Sequence, residues 1–402
     1  MSRLRFALFT HDAYGLGHIR RSSRILGALA QREPDASLLF ISGSPATRLL
    51  GELPANADVL KIPTVITSGG AGERPSTLNI GLAELCSMRG GITQRALELF
   101  QPDVLLVDNF PLGTRLELLP ALRELKHRHT RTVLGLRDVV DPPQKVRRDW
   151  ERDGMYDLVE RLYDRVIVYG EKSILDAADA YGFSPTLADR TVYSGYVTEQ
   201  QLPAGGVEAV CHSLGVKEGF LLATVGGGGD GRPLLEAFLE ALDHLPGAEA
   251  VVVTGEFMSA ADRAAIAAAA ATRPRVVLRD YLSDMPSVMA AAGLVVAMGG
   301  YNTSAEIIAA RTRAVLVPRT WRSGEHAARG KTGVDAEQMV RAEALARLGL
   351  VNVVDPRELS GESLAAAISA ALDAPSPGAT PELNLGGAHA VAAELVSLAR
   401  QM

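Results

Sequence analysis

The sequence predicts an α/β protein of two Rossmann-like domains, and three observations carry that reading. Short apolar runs alternate with helix-period stretches along most of the 402 residues, as in a doubly wound parallel sheet. The alternation lapses once, over Ser194–Gly219, where Pro203, Gly205 and Gly206 fall close together, and then restarts. Three of the apolar runs end in glycine loops, which suits ligand binding at the carboxyl ends of parallel strands. The length agrees, because a chain of this size exceeds one ordinary domain. Domains facing each other across a cleft would place the active site between them.

Taken in order, Arg5–Thr10 reads as the first strand and Ala13–His18 as a glycine loop. Ile19–Gln31 follows as a helix with Ile25, Leu26 and Leu29 on its apolar face. Leu38–Ile41 is a second strand, turning at Ser42–Pro45, and Val59–Ile62 a weaker third. Ser68–Pro75 reads as a loop whose length suits an excursion toward substrate. A helix over Gly81–Phe100 precedes the strand Asp103–Val107, which runs into Asp108-Asn109. Further strands are expected at Thr132–Leu136, ending in Arg137-Asp138, and at Arg165–Tyr169. This first domain covers 1–198, and 199–218 is read as the linker. The second, 219–386, has strands at Phe220–Val225, Ala250–Val253, Val276–Leu278, Leu294–Met298, Ala314–Val317 and Val351–Val354. Alanine-rich Ala260–Ala271 is helical by propensity. Residues 387–402 read as a terminal helix that packs back across the domain junction.

Composition narrows the function classes. A hydrophobic fraction of 47% supplies two cores, yet no apolar run reaches the ~18 residues of a membrane span. The amino terminus is basic and then apolar, but the apolar run is too short for a signal peptide and meets His11-Asp12. Cys86 and Cys211 make no disulfide framework and fit a reducing cytoplasm. A net charge of −6, lying wholly in the second half, argues against nucleic acid as a partner. No His/Cys/Asp cluster has metal-ligand spacing, so no metal site is expected.

The chemistry gathers at the glycine loops. Gly15-Leu16-Gly17-His18-Ile19-Arg20 holds two of the three glycines of a dinucleotide fingerprint, and the second strand ends in Ser42-Gly43 without an acidic residue. NAD binding there is disfavoured. The loop instead sets His18 at a helix amino end, whose dipole disfavours the imidazolium and suits a general base; a helix cap is the bland alternative. His11 and Asp12 adjoin this loop and either could orient His18 or act as the base. Asp108 and Asn109 are acceptor-side candidates, or caps of the next helix. The second loop, Gly226, Gly227, Gly228, Gly229, Asp230 and Gly231, matches GxGxxG, with Glu256 beyond the next strand, so a dinucleotide site stays open here. Four consecutive glycines also suit close backbone approach to a phosphate or sugar. In the third loop Gly299-Gly300 breaks a strand, Asn302, Thr303 and Ser304 offer capping side chains, and Glu306 falls on the first helical turn beside a sugar. Free N–H groups and a positive helix end make this an anion site. Two such loops on neighbouring strands suit a nucleotide diphosphate gripped from both sides.

On the segments MGGYNTSAEI…LVPR, RDYLSDMPSVMAAAGLVV, GLGHIRR and VDNFPLG…LGLRD, the chain resembles the inverting GT-B glycosyltransferases. Nearest in pattern are family 28-like glycosyltransferases related to the GlcNAc transferase that makes the peptidoglycan lipid precursor. The resemblance covers nearly the whole chain and implies a role for each motif. His18 would face the acceptor, and Gly226–Gly229 the donor diphosphate and sugar. Backbone at Tyr281 and Leu282 would contact the base. The helix after Gly299-Gly300 would grip phosphate through Thr303 and Ser304, with Glu306 on the ribose and Gln338 on the donor sugar. The segment Thr320–Val334 before Gln338 departs from the pattern, being expanded and carrying Trp321 and His326. The implied reaction is inverting transfer from a UDP-sugar to an acceptor hydroxyl. It needs no cofactor, the nucleotide sugar being a substrate, and no metal, since loop amides and helix dipoles can stabilise the leaving diphosphate. The acceptor is a lipid, a polysaccharide or a small molecule, and Lys126-His127-Arg128-His129, read as a solvated helix end, offers peripheral contact with anionic lipid. The alternatives are a nucleotide-sugar epimerase of the same architecture, an NAD-linked oxidoreductase using Gly226–Gly231, and a non-catalytic sugar-nucleotide-binding protein.

Overall fold

The computed structural model describes residues 3–10, 17–45, 53–68, 72–198, 205–321, 333–375 and 383–401. The chain divides into two compact units, Met1–Thr198 with Gly386–Met402, and Glu199–Leu385.

Unit 1 is built on strands β1 (Arg5–Thr10), β2 (Ser37–Ser42), β3 (Ala57–Lys61), β4 (Val65–Ser68), β5 (Gly72–Pro75), β6 (Val104–Asp108), β7 (Arg131–Arg137), β8 (Arg165–Tyr169) and β9 (Thr191–Tyr193). Seven of them form one parallel sheet in the order β3-β2-β1-β6-β7-β8-β9. Its central strands are buried along nearly their whole length, as parallel strands covered on both faces must be. Successive strands run outward in both directions from the β1/β6 pair, so the switch point of the sheet lies there. One expectation fails locally. Residues 72–75 are not loop: β4 and β5 pair antiparallel as a hairpin, with 69–71 outside the described residues. GERP has no apolar alternation, so only the pairing defines it as a strand. The basic run Lys126–His129 is a partly exposed helix end with both histidines at the surface, and its other two members pair there. Lys126 pairs with Asp164 at 2.8 Å and Arg128 with Glu124 at 3.0 Å.

The helix Gly387–Arg400 belongs to unit 1, where it packs on the helix Gly17–Arg32 and on β6 and β7. Glu394 pairs with Arg165 at 2.7 Å and Arg400 with Glu33 at 2.6 Å. Its start is hooked to the end of the sheet: Val197 and Gly386 form an antiparallel bridge, and the Gly387 N–H donates to Tyr196 O at 3.0 Å. Gly387 has no room for a side chain, since a Cβ would lie 2.5 Å from Gly195 O.

Unit 2 repeats the scheme with β10 (Leu221–Thr224), β11 (Ala250–Val253), β12 (Val276–Arg279), β13 (Leu294–Ala297), β14 (Ala314–Leu316), β15 (Thr320–Trp321), β16 (Gly333–Val334) and β17 (Asn352–Val353). The six-stranded parallel sheet has the order β12-β11-β10-β13-β14-β17, so its switch point is β10/β13. Phe238, Leu235, Val252, Val296 and Ile368 centre its core. β15 and β16 pair antiparallel, and His326 between them lies outside the described residues. The stretch expected to be linker contains a helix, Gly206–Leu214, packed on the helix Met285–Ala291. It buries Cys211 and Leu214, too brief a stripe to register as periodicity. The two glycines that suggested a linker, Gly205 and Gly206, open it, both at a left-handed φ of 80°, and Gly215 closes it at 74°.

Gly387→Ala should cost about 1–3 kcal/mol of stability, because main-chain atoms at Gly195 and Tyr196 cannot move aside as a flexible side chain would. Gly27→Ala, in a helix with nothing within 4 Å of the new methyl, should instead gain about 0.5–1 kcal/mol. Thermal melting of the two variants checks both signs; a Gly387→Ala protein as stable as the parent would show that the hook yields.

Candidate active site

In unit 1 the switch point brings together the helix that follows β1 and the end of β6. His18 is the second residue of the helix Gly17–Arg32, and Asp108 ends β6. Both are buried, and His18 Nδ1 lies 2.6 Å from Asp108 Oδ2. One turn along the same helix, buried Arg21 donates to Asp108 through Nε (3.1 Å to Oδ1) and Nη2 (2.8 and 2.9 Å to Oδ1 and Oδ2). Arg21 Nη2 is also 2.8 Å from His18 Nδ1. The shorter contact, to the carboxylate, sets the tautomer: Nδ1 carries the proton and Nε2 the lone pair. Burial, which disfavours the imidazolium, outweighs the pull of Asp108 and brings His18 down to about 4, with Arg21 and Arg137 pushing the same way. The ring is therefore neutral near pH 7, as expected, but desolvation is the leading cause where the sequence pointed to the helix dipole. For Asp108, burial works upward, yet Arg21 and then His18 hold its carboxyl well below the usual carboxylate range.

The other unit 1 candidates fall as follows. Asp108 and Asn109 are both buried, with side chains bonded inside the unit. Asn109 takes a left-handed φ of 63°, donates its N–H to Gly135 O at 2.7 Å and accepts from Arg137 Nε at 3.3 Å. His11 and Asp12, with Gly15 and Leu16, lie outside the described residues.

In unit 2 the loops after β10 and β13 flank the switch point. Gly226 and Gly228 have φ of 60° and 93°, and a Cβ on Gly228 would lie 2.2 Å from Thr254 O. Gly227 O accepts from the Phe257 N–H at 2.8 Å, while Gly226 and Gly229 are exposed. The loop is thus a main-chain surface pressed against residues 254–258. Gly300, extended at φ −68° and ψ 148°, is the N-cap of the helix Tyr301–Ala310, and no side chain caps it. This corrects two expectations. Asn302, Thr303 and Ser304 lie inside the first turn and are not caps, and Glu306 falls on the second turn, buried. The helix starts at once after Gly300, ahead of the polar run that signalled it. Asn302 and Thr303 are half-buried; Ser304 is fully buried. Gly299 is held from behind by fully buried Arg341, whose Nη1 donates to Gly299 O at 2.9 Å and whose Nη2 reaches Glu337 at 3.0 Å.

Tyr281 is exposed and Leu282 half-buried just beyond β12. Gln338 is buried in the helix Ala336–Arg347, with Oε1 accepting from the Arg319 N–H at 2.9 Å. Arg319 ties three segments together: Nη2 lies 2.6 Å from Asp335, the N-cap of that helix, and Nη1 3.3 Å from Asp230 of the glycine loop. Sequence reasoning missed Arg21, Arg319 and Arg341. For Arg21 a signal was present, because it shares a helix face with His18 and Ile25, where a charge breaks the apolar stripe.

The His18 assignment has a measurable consequence. The folded protein binds that proton at about 4 and an unfolded chain at its ordinary 6.5, so the unfolded state holds more protons between the two. Stability should fall as pH drops through this window, by up to about 1.4 kcal/mol per pH unit. His18→Asn should flatten that segment of a urea-midpoint profile. Asp108 contributes in the same direction only below its ordinary 3.8, so the two losses separate. An unchanged slope in His18→Asn would show that the imidazole is not held neutral.

Comparison with known proteins bears on the whole arrangement. Residues 222–392 match the glycosyltransferase family 28 C-terminal domain. A UDP-N-acetylglucosamine--N-acetylmuramyl-(pentapeptide) pyrophosphoryl-undecaprenol N-acetylglucosamine transferase of Desulforudis audaxviator is 25% identical over 368 residues, 88% of this chain and 86% of the relative. Among solved structures, Acinetobacter baumannii MurG matches with a TM-score of 0.58 at 15% identity, over 99% of this chain and all (100%) of that one. The UDP-GlcNAc 2-epimerase of Methanocaldococcus jannaschii matches with 0.61 at 12% identity, over 98% and 100%. These two likenesses are of fold alone. The family match over the second unit and the long relative support a glycosyltransferase similar to family 28, and the solved structures show its GT-B fold.

Proposed function

We propose that this glycosyltransferase transfers a sugar from a UDP-sugar to an acceptor hydroxyl with inversion, His18 acting as the general base. The observation that carries the reading is the neutral, carboxylate-oriented His18 at the switch point of the first sheet. In this reading His18 Nε2 takes the acceptor proton as the acceptor oxygen bonds to the anomeric carbon. The bond from that carbon to the diphosphate oxygen breaks on the opposite face, and UDP leaves with the electron pair. Main-chain N–H groups of Gly226–Gly229 and the amino end of the helix Tyr301–Ala310 take up the diphosphate charge. Thr303 adds a hydroxyl at that helix end. Glu306 serves the ribose, Tyr281 and Leu282 the base, and Gln338 the sugar. The relative's own name supports a UDP-linked donor, and its lipid-linked acceptor makes such acceptors the first to assay.

The discriminating experiment against an epimerase is incubation with UDP-sugars without acceptor, followed by NMR. The transferase reading expects the sugar configuration unchanged; net inversion at a ring carbon would replace it with epimerisation. His18→Ala should lower kcat by about 10²–10⁴ while UDP affinity stays near that of the parent. Near-normal kcat with a lowered melting temperature would reduce His18 to a helix cap. Activity should also survive excess EDTA, because the acidic side chain of the donor loop, Asp230, is engaged by Arg319 and main-chain amides serve the diphosphate. A complete loss reversed by Mg²⁺ would reassign how the leaving group is stabilised.

A further inference from the structure

We infer that Arg21 is a positioning residue of the transfer reaction: its guanidinium, and not the imidazole, is the counter-ion of buried Asp108, which leaves His18 to work as a neutral base. The inference rests on the reading of His18 as the base. A carboxylate removed from water requires a positive partner, and two groups compete for Asp108. Arg21 is only 1% exposed and makes three bonds to it, two through one nitrogen. Arginine stays charged at any pH of interest, so it fills the need permanently.

The guanidinium has little freedom to leave. Its carbon lies 5.1 Å from the centroid of the Tyr169 ring, a cation–π contact. Tyr169 in turn occupies space that only glycine permits on the neighbouring strand, since a Cβ on Gly135 would lie 1.8 Å from its hydroxyl. The groups facing His18 are Asp108 from the end of β6, Arg21 from its own helix and Arg137 from the end of β7. With Arg21 in place, a proton on Nε2 would put a second cation beside the first, with Arg137 adding a third. Without Arg21, Asp108 would lose its permanent cation and hold a proton on the imidazole up to a higher pH, against the burial that opposes it. Over that added range the lone pair needed to accept the acceptor proton would be occupied. Asp108 thus orients the ring, and Arg21 keeps that orientation from turning into an ion pair.

The test is a pH profile of kcat/KM for the full chain and its Arg21→Gln and Arg21→Lys variants. It is paired with ¹⁵N NMR of the His18 imidazole, assigned by difference with His18→Asn. Arg21→Gln should move the acid limb upward by about one pH unit or more, a loss of about tenfold at a pH on that limb, and recover in part at alkaline pH. Arg21→Lys, which keeps the charge, should return the limb most of the way. At pH 5 the parent imidazole should be largely neutral and that of Arg21→Gln at least half protonated. A purely structural arginine would lower stability and activity at every pH without moving the limb, which overturns the inference. If Arg21→Gln does not fold, the parent spectrum decides: an imidazolium at pH 5 overturns the inference, and a neutral ring supports it. Near-parental activity of His18→Ala would sink the base reading itself. An inactive His18→Ala beside an unmoved limb in Arg21→Gln would sink only the role of Arg21.

Discussion

Asp108 is the point on which the first unit depends. A sealed carboxylate is costly unless cations and hydrogen bonds meet it, and its surroundings supply both. The ladder register sets Asp108 beside Gly135 of β7, and β7 in turn sets Arg137 beside Tyr169 of β8. Gly135 makes room for the Tyr169 ring, the ring backs Arg21, Arg21 grips Asp108, and Asp108 accepts from His18. Each contact uses the end of a strand that the buried sheet already holds rigid. The imidazole is therefore placed by the whole sheet, although it stands on a helix.

The second unit solves a different problem at the same topological place. Its switch point presents main chain in place of side chains: glycines 226–229 on one side and the Gly300-capped helix on the other. Main chain approaches a ligand closely only where Cβ atoms are absent, and such loops need bracing from behind. Arg341 supplies it for Gly299, and Arg319 for Asp230. One unit thus carries a titrating group tuned by burial, and the other a non-titrating surface of amides.

Much of this was legible in the sequence, for physical reasons that differ by element. Buried parallel strands are apolar runs, so β1 and β8 could be read to the residue, and alanine propensity gave the helix Ala260–Ala271 the same precision. The hairpin of β4 and β5 and the helix Gly206–Leu214 escaped because pairing and a two-residue buried stripe leave little pattern. His18 and the glycine loops stood out because their chemistry is local in sequence. Asp108 was noticed but without its partners. Arg21 reaches it across 87 positions, and no local period encodes such a contact. Glu306 was misplaced by one turn because polar residues after Gly300 mimic a cap that the glycine itself provides. The charge state of His18 was anticipated and its leading cause was not, since burial of that residue is a property of the assembled sheet.

The bridge between Val197 and Gly386 carries a consequence for biosynthesis. Unit 1 is discontinuous, and its helix Gly387–Arg400 covers the helix Gly17–Arg32 from beyond the whole of unit 2. On the ribosome, unit 2 is available to fold before that helix has been made. Unit 1 must wait without the helix that packs on Gly17–Arg32, β6 and β7 in the finished protein. Of the two units, the one whose translation begins earlier is therefore the later to be completed.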